Sequence, residues 1–223
     1  MDIEQNLNNI KSQIPKEVTL VAVSKTKPVS DLMEAYSAGQ RIFGENKIQE
    51  MAVKYEEMPK DIEWHMIGHV QRNKVKYMAD FVSLIHGVDS FKLLNEINKQ
   101  ALKHDRVINC LIQIKIAEED SKFGMSSQDA KELLISEEFK KLKNISITGL
   151  MGMATFTDDI KQVTQEFNRL KTTFDDLKVL PPTNCELQII SMGMSGDYKL
   201  AIDCGSTMIR VGSSIFGVRN YAN

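Results

Sequence analysis

The stretch Thr19-Leu-Val-Ala-Val-Ser-Lys25-Thr-Lys-Pro28 decides how this chain is read. Leu20, Val21, Ala22 and Val23 are apolar on both parities, the pattern of a strand covered on both faces. Pro28 has no N–H and stops that strand from continuing as a central one. Lys25 falls at its carboxyl end and, by alternation, shares a face with Val21 and Val23. An ammonium on the apolar face of a central strand is costly unless it is neutral, paired or used covalently. Taken alone, the stretch favours a simpler picture, a rim lysine whose stem covers apolar surface while its head stays wet. The rest of the chain has to decide between the two.

Outward from this strand the pattern alternates. Before it, Ile3, Leu7, Ile10 and Ile14 are spaced four, three, four, which predicts an amphipathic opening helix ended by Pro15. After it, helix is expected over Ser30–Ala38 with Gly39 closing it, then strand at Arg41–Glu45 and helix through about Met58. Strands follow at Ile62–Ile67, Phe81–His86, Val107–Ile116, Ile145–Leu150, Glu186–Ile190 and Thr207–Val211. Helical stretches separate them at Val70–Met78, Ser90–Lys103, Ser127–Ile135, Asp158–Leu177 and Ser195–Cys204. The strongest helix carries Ile160, Val163, Phe167, Leu170, Phe174 and Leu177 on one stripe, with Pro181-Pro182 as its stop. In Val107–Ile116 one face is wholly apolar (Ile108, Cys110, Ile112, Ile114, Ile116), while the other turns polar toward Gln113 and Lys115.

Roughly eight strand–helix units in series imply a parallel sheet. Their number favours an α/β fold closed as a single (β/α)8 TIM-type barrel with an extra N-terminal helix, one domain over residues 1–223. An open, doubly wound sheet is the alternative.

Composition narrows the class. A 42% hydrophobic and 26% charged chain is ordinary for a soluble globular protein, and a formal net charge of -2 disfavours nucleic acid as a partner. The start lacks a signal-peptide pattern, and no apolar run reaches the ~20 residues needed to span a bilayer. Cys110, Cys185 and Cys204 are odd in number and far apart, so they read as reduced thiols and the protein as cytoplasmic.

Ligands of such folds sit at the carboxyl ends of the strands. There the sequence places Lys25, then Gly44-Glu45-Asn46, His65 to Gly68, Gln113 with Lys115, Gly149 to Met153, Ser191-Met-Gly-Met-Ser-Gly196 and Arg210-Val-Gly-Ser-Ser214. The last two loops are short and rich in Gly and Ser, and both open a turn of chain whose N–H groups can converge on a phosphate. Each alone is no more than a tight turn. Two adjacent ones opposite a strand-end lysine point to an anion site. A lysine with a phosphate cradle suggests pyridoxal 5'-phosphate held as a Schiff base. The amine must be neutral to react. If the strand persists, Lys27 lies about 7 Å from Lys25 on the same face. A like charge there is worth about 2 kcal/mol at an effective dielectric of about 20, which would help deprotonate Lys25. Which of the two lysines reacts is not fixed by this argument, although Lys25 has the apolar strand behind it.

At this point the chain resembles a known family. Ala22-Val-Ser-Lys-Thr-Lys-Pro28, Phe43-Gly-Glu-Asn46, Trp64-His-Met-Ile-Gly68 with Gln71 and Asn73-Lys74, and Ser121-Lys122 with Gly124 carry part of the likeness. Gly149-Leu-Met151, Ser191-Met-Gly-Met-Ser195 and Gly205-Ser-Thr-Met-Ile-Arg-Val-Gly212 with Ile215-Phe-Gly217 carry the rest. Together they are similar to the pyridoxal phosphate homeostasis proteins. The resemblance implies a monomeric or weakly associating barrel similar to the N-terminal domain of alanine racemase, with pyridoxal 5'-phosphate on Lys25. It implies that the Ser191–Met192 and Gly212–Ser213 backbones and the Ser191 and Ser213 hydroxyls hold the phosphate. Arg210 would face the pyridine nitrogen, and Asn46 would lie near the ring. The implied role is control of vitamin B6 supply, with enzymes that need the cofactor as recipients. Lys115 departs from the pattern, where a small neutral polar residue is expected, and adds a charge near the site.

Arginine only donates and stays charged, so Arg210 would leave the ring nitrogen unprotonated and the ring a weak electron sink. Racemisation needs an acid or base on each face of the reacting carbon. The resemblance to the racemase implies a tyrosine from a second domain for the second face, and here the chain ends at Asn223. A cofactor-holding protein with little or no turnover is therefore expected, with a slow amino-acid racemase as the alternative. His65 and His69 have zinc-helix spacing, but Gly68 argues against one helix, and no metal is expected. His86 and His104 stand alone in the sequence, and structural or exposed roles are expected for both. The paired methionines Met151/Met153 and Met192/Met194 should pack against the barrel or line an apolar wall.

Overall fold

A computed structural model describes residues 2–118, 123–180 and 185–217. The Ser121–Lys122 motif and the Pro181–Pro182 stop lie outside the described residues. Eight parallel strands close in chain order into a barrel. They are β1 (Thr19–Val23), β2 (Ile42–Glu45), β3 (Glu63–Met66), β4 (Leu84–Val88), β5 (Ile108–Gln113), β6 (Ile145–Met151), β7 (Cys185–Ser191) and β8 (Met208–Val211). The seam between β8 and β1 pairs Thr19 with Met208 and Val21 with Arg210. The closed (β/α)8 reading is therefore the observed one, and the open sheet is excluded.

Helices cover the outside: α1 (Ile3–Gln13), α2 (Val29–Ser37), α3 (Ile48–Glu57), α4 (Phe91–Lys103), α5 (Ser127–Ile135), α6 (Glu137–Lys140), α7 (Ile160–Lys178), α8 (Tyr198–Asp203) and α9 (Ser213–Phe216). A 3-10 helix, Arg72–Tyr77, stands between β3 and β4. In α1 the Asp2 carboxylate accepts the Gln5 N–H at 2.8 Å, while Ile3, Leu7 and Ile10 turn inward. Asn6 donates to the Ile215 carbonyl at 3.1 Å, which joins this extra helix to α9 at the other end of the chain.

The core has two layers. The larger lies between strands and helices and takes Leu20, Ala22, Phe43, Trp64, Ile85, Cys110, Ile112, Ile147, Phe167 and Ile209. The smaller fills the barrel: Val21, Leu84, Leu111, Met151 and Met208, with Ile42, Ile67, Met153 and Ile189 partly buried against it. The wholly apolar face of β5 thus meets the helices, and the face that turned polar points into the barrel. Met151 lines the interior, while Met192 packs in the outer layer.

Several boundaries moved for identifiable reasons. The fourth strand was expected at Phe81–His86 but starts at Leu84. Arg106 donates to the carbonyls of Ala79 and Val82, both at 2.7 Å, and holds that segment as a turn. Helix α7 opens one residue after Asp159, whose carboxylate accepts the N–H groups of Lys161 and Gln162. Ile160 is consequently 68% exposed and does not belong to the buried stripe. Helix α8 is shorter than Ser195–Cys204 because Asp197 accepts the Met194 N–H at 2.5 Å and keeps Gly193–Asp197 coiled as a loop.

Candidate functional site at the carboxyl ends of the strands

Strand β1 ends at Val23, and the ladder holds for one more residue, since the Ser24 N–H donates to the Gly44 carbonyl at 3.0 Å. Lys25 then occupies a turn, half-buried. Thr26 has φ 64°, a left-handed conformation that breaks strand alternation. This corrects the expected pairing of the two lysines on one strand face. Lys27 sits past the turn, and its ammonium donates to the Phe216 carbonyl at 2.5 Å.

Beneath the turn lies a buried charge cluster. Lys54 of α3, 5% exposed, reaches the Ser24 carbonyl at 2.8 Å, Glu45 at 2.7 Å and Glu50 at 2.7 Å. Glu45 also accepts the Ser24 hydroxyl at 2.6 Å, and Glu50 accepts the Thr26 N–H at 2.6 Å. Burial pushes the Glu45 carboxyl up from its ordinary value, and Lys54 opposes that.

The inner face of the barrel explains the next group. On β4, β7 and β8 an apolar member of the interior is followed two residues later by a polar one: Leu84 by His86, Ile189 by Ser191, Met208 by Arg210. A polar layer therefore sits above the apolar plug. Arg210, 4% exposed, donates to the Ser191 carbonyl at 2.9 Å, the Ser191 hydroxyl at 2.6 Å and the Gly152 carbonyl at 3.0 Å. The Ser191 hydroxyl in turn meets His86 Nδ1 at 3.0 Å, and His86 Nε2 meets His65 Nδ1 at 3.1 Å. Burial lowers Arg210 to about 10, partly offset by Asp197, so it stays cationic near neutrality. Burial also pulls His65 down to about 3. His86 is lowered well below its usual value, by burial first and then by His65 and Arg210. Both rings are neutral. His86 is thus no solitary histidine. It links Ser191 across the barrel to His65, and inward parity after Leu84 was the signal that could have found it.

The two Gly-Ser loops meet. The Gly212 N–H donates to the Ser195 hydroxyl at 3.2 Å, and the Arg210 N–H donates to the Gly193 carbonyl at 2.9 Å. A Cβ at 212 would lie 3.1 Å from the Val23 carbonyl, so this glycine brings the β8 loop against the end of β1. Ser213 and Ser214, both exposed, open α9 with N–H groups that the helix cannot bond itself. Ser191 and Met192, at the end of β7, have partners within the protein. The Ser191 hydroxyl is engaged by Arg210 and His86, and the Met192 N–H donates to the Met208 carbonyl at 3.2 Å. Ser195 stands at the junction of the two loops. Asn46 follows β2, half-buried, so close to Gly68 that a Cβ at 68 would fall 2.4 Å from its carbonyl oxygen. Lys115 is exposed at the rim beyond β5. Burial, with Asp203 adding to it, raises the Cys204 thiol, which does not suit a redox role.

A family model described as alanine racemase, N-terminal domain, matches residues 1–220. A pyridoxal phosphate homeostasis protein of Pasteurella multocida is 38% identical over 235 residues, covering 100% of both chains. The chain belongs to the pyridoxal phosphate homeostasis protein family. PipY of Synechococcus elongatus, solved with PLP bound, shares the fold with a TM-score of 0.87 at 33% identity, covering 96% of this chain and 100% of that one. An alanine racemase of Clostridium difficile reaches a TM-score of 0.78 at 16% identity, covering 100% of this chain and 56% of that one. At that identity the likeness shows a shared barrel and nothing more.

Proposed function

We propose that this protein binds pyridoxal 5'-phosphate at the mouth of the barrel, holds it on Lys25, and serves vitamin B6 homeostasis by keeping and passing on the cofactor with little or no turnover. The observation that carries the reading is the convergence of a half-buried strand-end lysine, a buried guanidinium on the adjoining strand and two touching Gly-Ser loops. When bound, the cofactor supplies an aldehyde that an amine captures reversibly and a ring that withdraws electrons from the captured carbon.

The donor set fits such a group. The Gly212–Ser213 segment and the Ser195 hydroxyl would receive the phosphate. Arg210 would face the ring nitrogen, and Asn46 would lie beside the ring. The Ser191 hydroxyl would serve the ring end, by fixing Arg210, rather than the phosphate. Arg210 rests on neutral acceptors, so nothing in its described contacts would pass a proton to a ring nitrogen. That favours holding over turnover. The match to the family model described as alanine racemase, N-terminal domain, keeps a slow racemase as the second reading. Among the described residues no helix is long and apolar enough to cross a membrane, and all three cysteines are free thiols, which fits a cytoplasmic site of action.

Equilibrium binding of pyridoxal 5'-phosphate to the wild type and to Lys25→Ala, run beside a chiral assay of L- and D-amino acids, tests the reading. Binding that weakens in Lys25→Ala, without interconversion of enantiomers, is the expected result. Robust Lys25-dependent interconversion would replace the carrier with the racemase.

A further inference from the structure

We propose that Glu50 and Lys54 of α3 are positioning residues for Lys25, clamping the turn on both of its flanks; the inference rests on reading Lys25 as the amine that captures the aldehyde. On the amino side, the Ser24 carbonyl accepts from the Lys54 ammonium at 2.8 Å and from the Lys27 N–H at 3.1 Å. On the carboxyl side, the Thr26 N–H donates to Glu50 at 2.6 Å. Thr26 is β-branched and left-handed at φ 64°, a conformation that persists only where its surroundings impose it.

The clamp is itself anchored. Lys54 bridges Glu45 and Glu50, each at 2.7 Å, and Glu45 accepts the Ser24 hydroxyl. Apolar packing holds a helix on a barrel at least as well as a buried ion pair, and the bonds of this cluster end on the backbone of the turn. What this group fixes is the residue before Lys25 and the residue after it. In the step served, the neutral Lys25 amine adds to the aldehyde carbon and one water leaves as the C=N bond forms. A held amine meets the aldehyde more often in a reactive pose than one on a loose turn.

Glu50 gives a clean test, because its side chain is 24% exposed and Lys54 keeps Glu45 when it is removed. Glu50→Ala takes away the acceptor of the Thr26 N–H, whereas Glu50→Gln retains one. Two readouts are compared with the wild type. The first is hydrogen exchange at the Thr26 amide in the protein alone. The second is the rate at which added pyridoxal 5'-phosphate becomes attached to Lys25, followed by its yellow absorbance and by peptide mass after borohydride reduction. In Glu50→Ala the Thr26 amide should exchange faster and attachment should slow about tenfold, with Glu50→Gln close to wild type in both. Wild-type attachment rates in Glu50→Ala, or equal slowing in both variants, would overturn the proposal. Failure of the wild type to carry the label on Lys25 would bring down the reading of the site, and the proposal with it. The Thr26 exchange rates would still report whether the turn is held.

Discussion

Ser191 carries more of the interior than its size suggests. Its hydroxyl takes a hydrogen bond from Arg210 at 2.6 Å and meets His86 at 3.0 Å, and all three side chains are buried. Ser191→Ala leaves both partners short of a bond and should cost about 1–3 kcal/mol, read as a lower urea midpoint at constant slope. His65 and His86 make stability depend on pH. The folded value of His65, about 3, lies below the 6.5 of an ordinary histidine, and His86 is lowered in the same direction. The unfolded chain therefore takes up these protons first. The His65 contribution is complete above about pH 6.5 and falls as pH drops toward about 3, by up to about 1.4 kcal/mol per unit, and that of His86 is lost in the same direction. Urea midpoints near pH 7 and near pH 5 should differ by less in a His65→Asn/His86→Asn double variant than in the wild type. An undiminished difference would assign the pH dependence to other groups.

At the scale of elements, α3 is held to the barrel by charge as well as by Ile48 and Met51. Lys54→Met strands Glu45, which has no exposed surface, and should destabilise by about 3–5 kcal/mol, while adding Glu45→Gln should recover much of that. Urea unfolding of the single and double variants checks this. Of this cluster only the four-residue spacing of Glu50 and Lys54 was legible in the sequence. Glu50 is the i,i+4 partner of Lys54 on α3, but only the packing of α3 against the ends of β1 and β2 adds the Ser24 carbonyl and Glu45 as further acceptors. Helix α7, by contrast, was readable almost to its ends, because a stripe from Val163 to Leu177 and an Asp159 cap are local signals. The misplaced start of β4 and the unforeseen α6 and α9 have two causes. Their bounds are set by tertiary hydrogen bonds or are too short to show a period.

For the whole molecule, the alternation of strand and helix sufficed to predict the barrel, since a parallel sheet of that many units can close on itself. Closure then did what the linear sequence could not display. It set the inner faces of β3, β4, β7 and β8 in one interior, so that His65, His86, Ser191 and Arg210 became a single chain of hydrogen bonds. Lys25 and the Gly-Ser loops were legible because they lie at strand ends, where the fold itself directs ligands. The direction of the Ser191 hydroxyl was not, because it depends on Arg210 of the neighbouring β8 and on His86 of the distant β4. A ligand bound across these loops ties β1 to β7 and β8. Pyridoxal 5'-phosphate at 100 times its dissociation constant should add about 2.7 kcal/mol of stability, seen as a raised melting temperature that shrinks in Lys25→Ala.

The most direct test of the account is where the cofactor attaches. The purified protein would be incubated with pyridoxal 5'-phosphate, reduced with borohydride, digested and mapped by peptide mass. The account predicts a pyridoxyl label on Lys25, with yellow absorbance lost on reduction. Label on Lys27 or Lys115, or no label at all, would contradict it and return Lys25 to the role of a rim lysine over apolar surface.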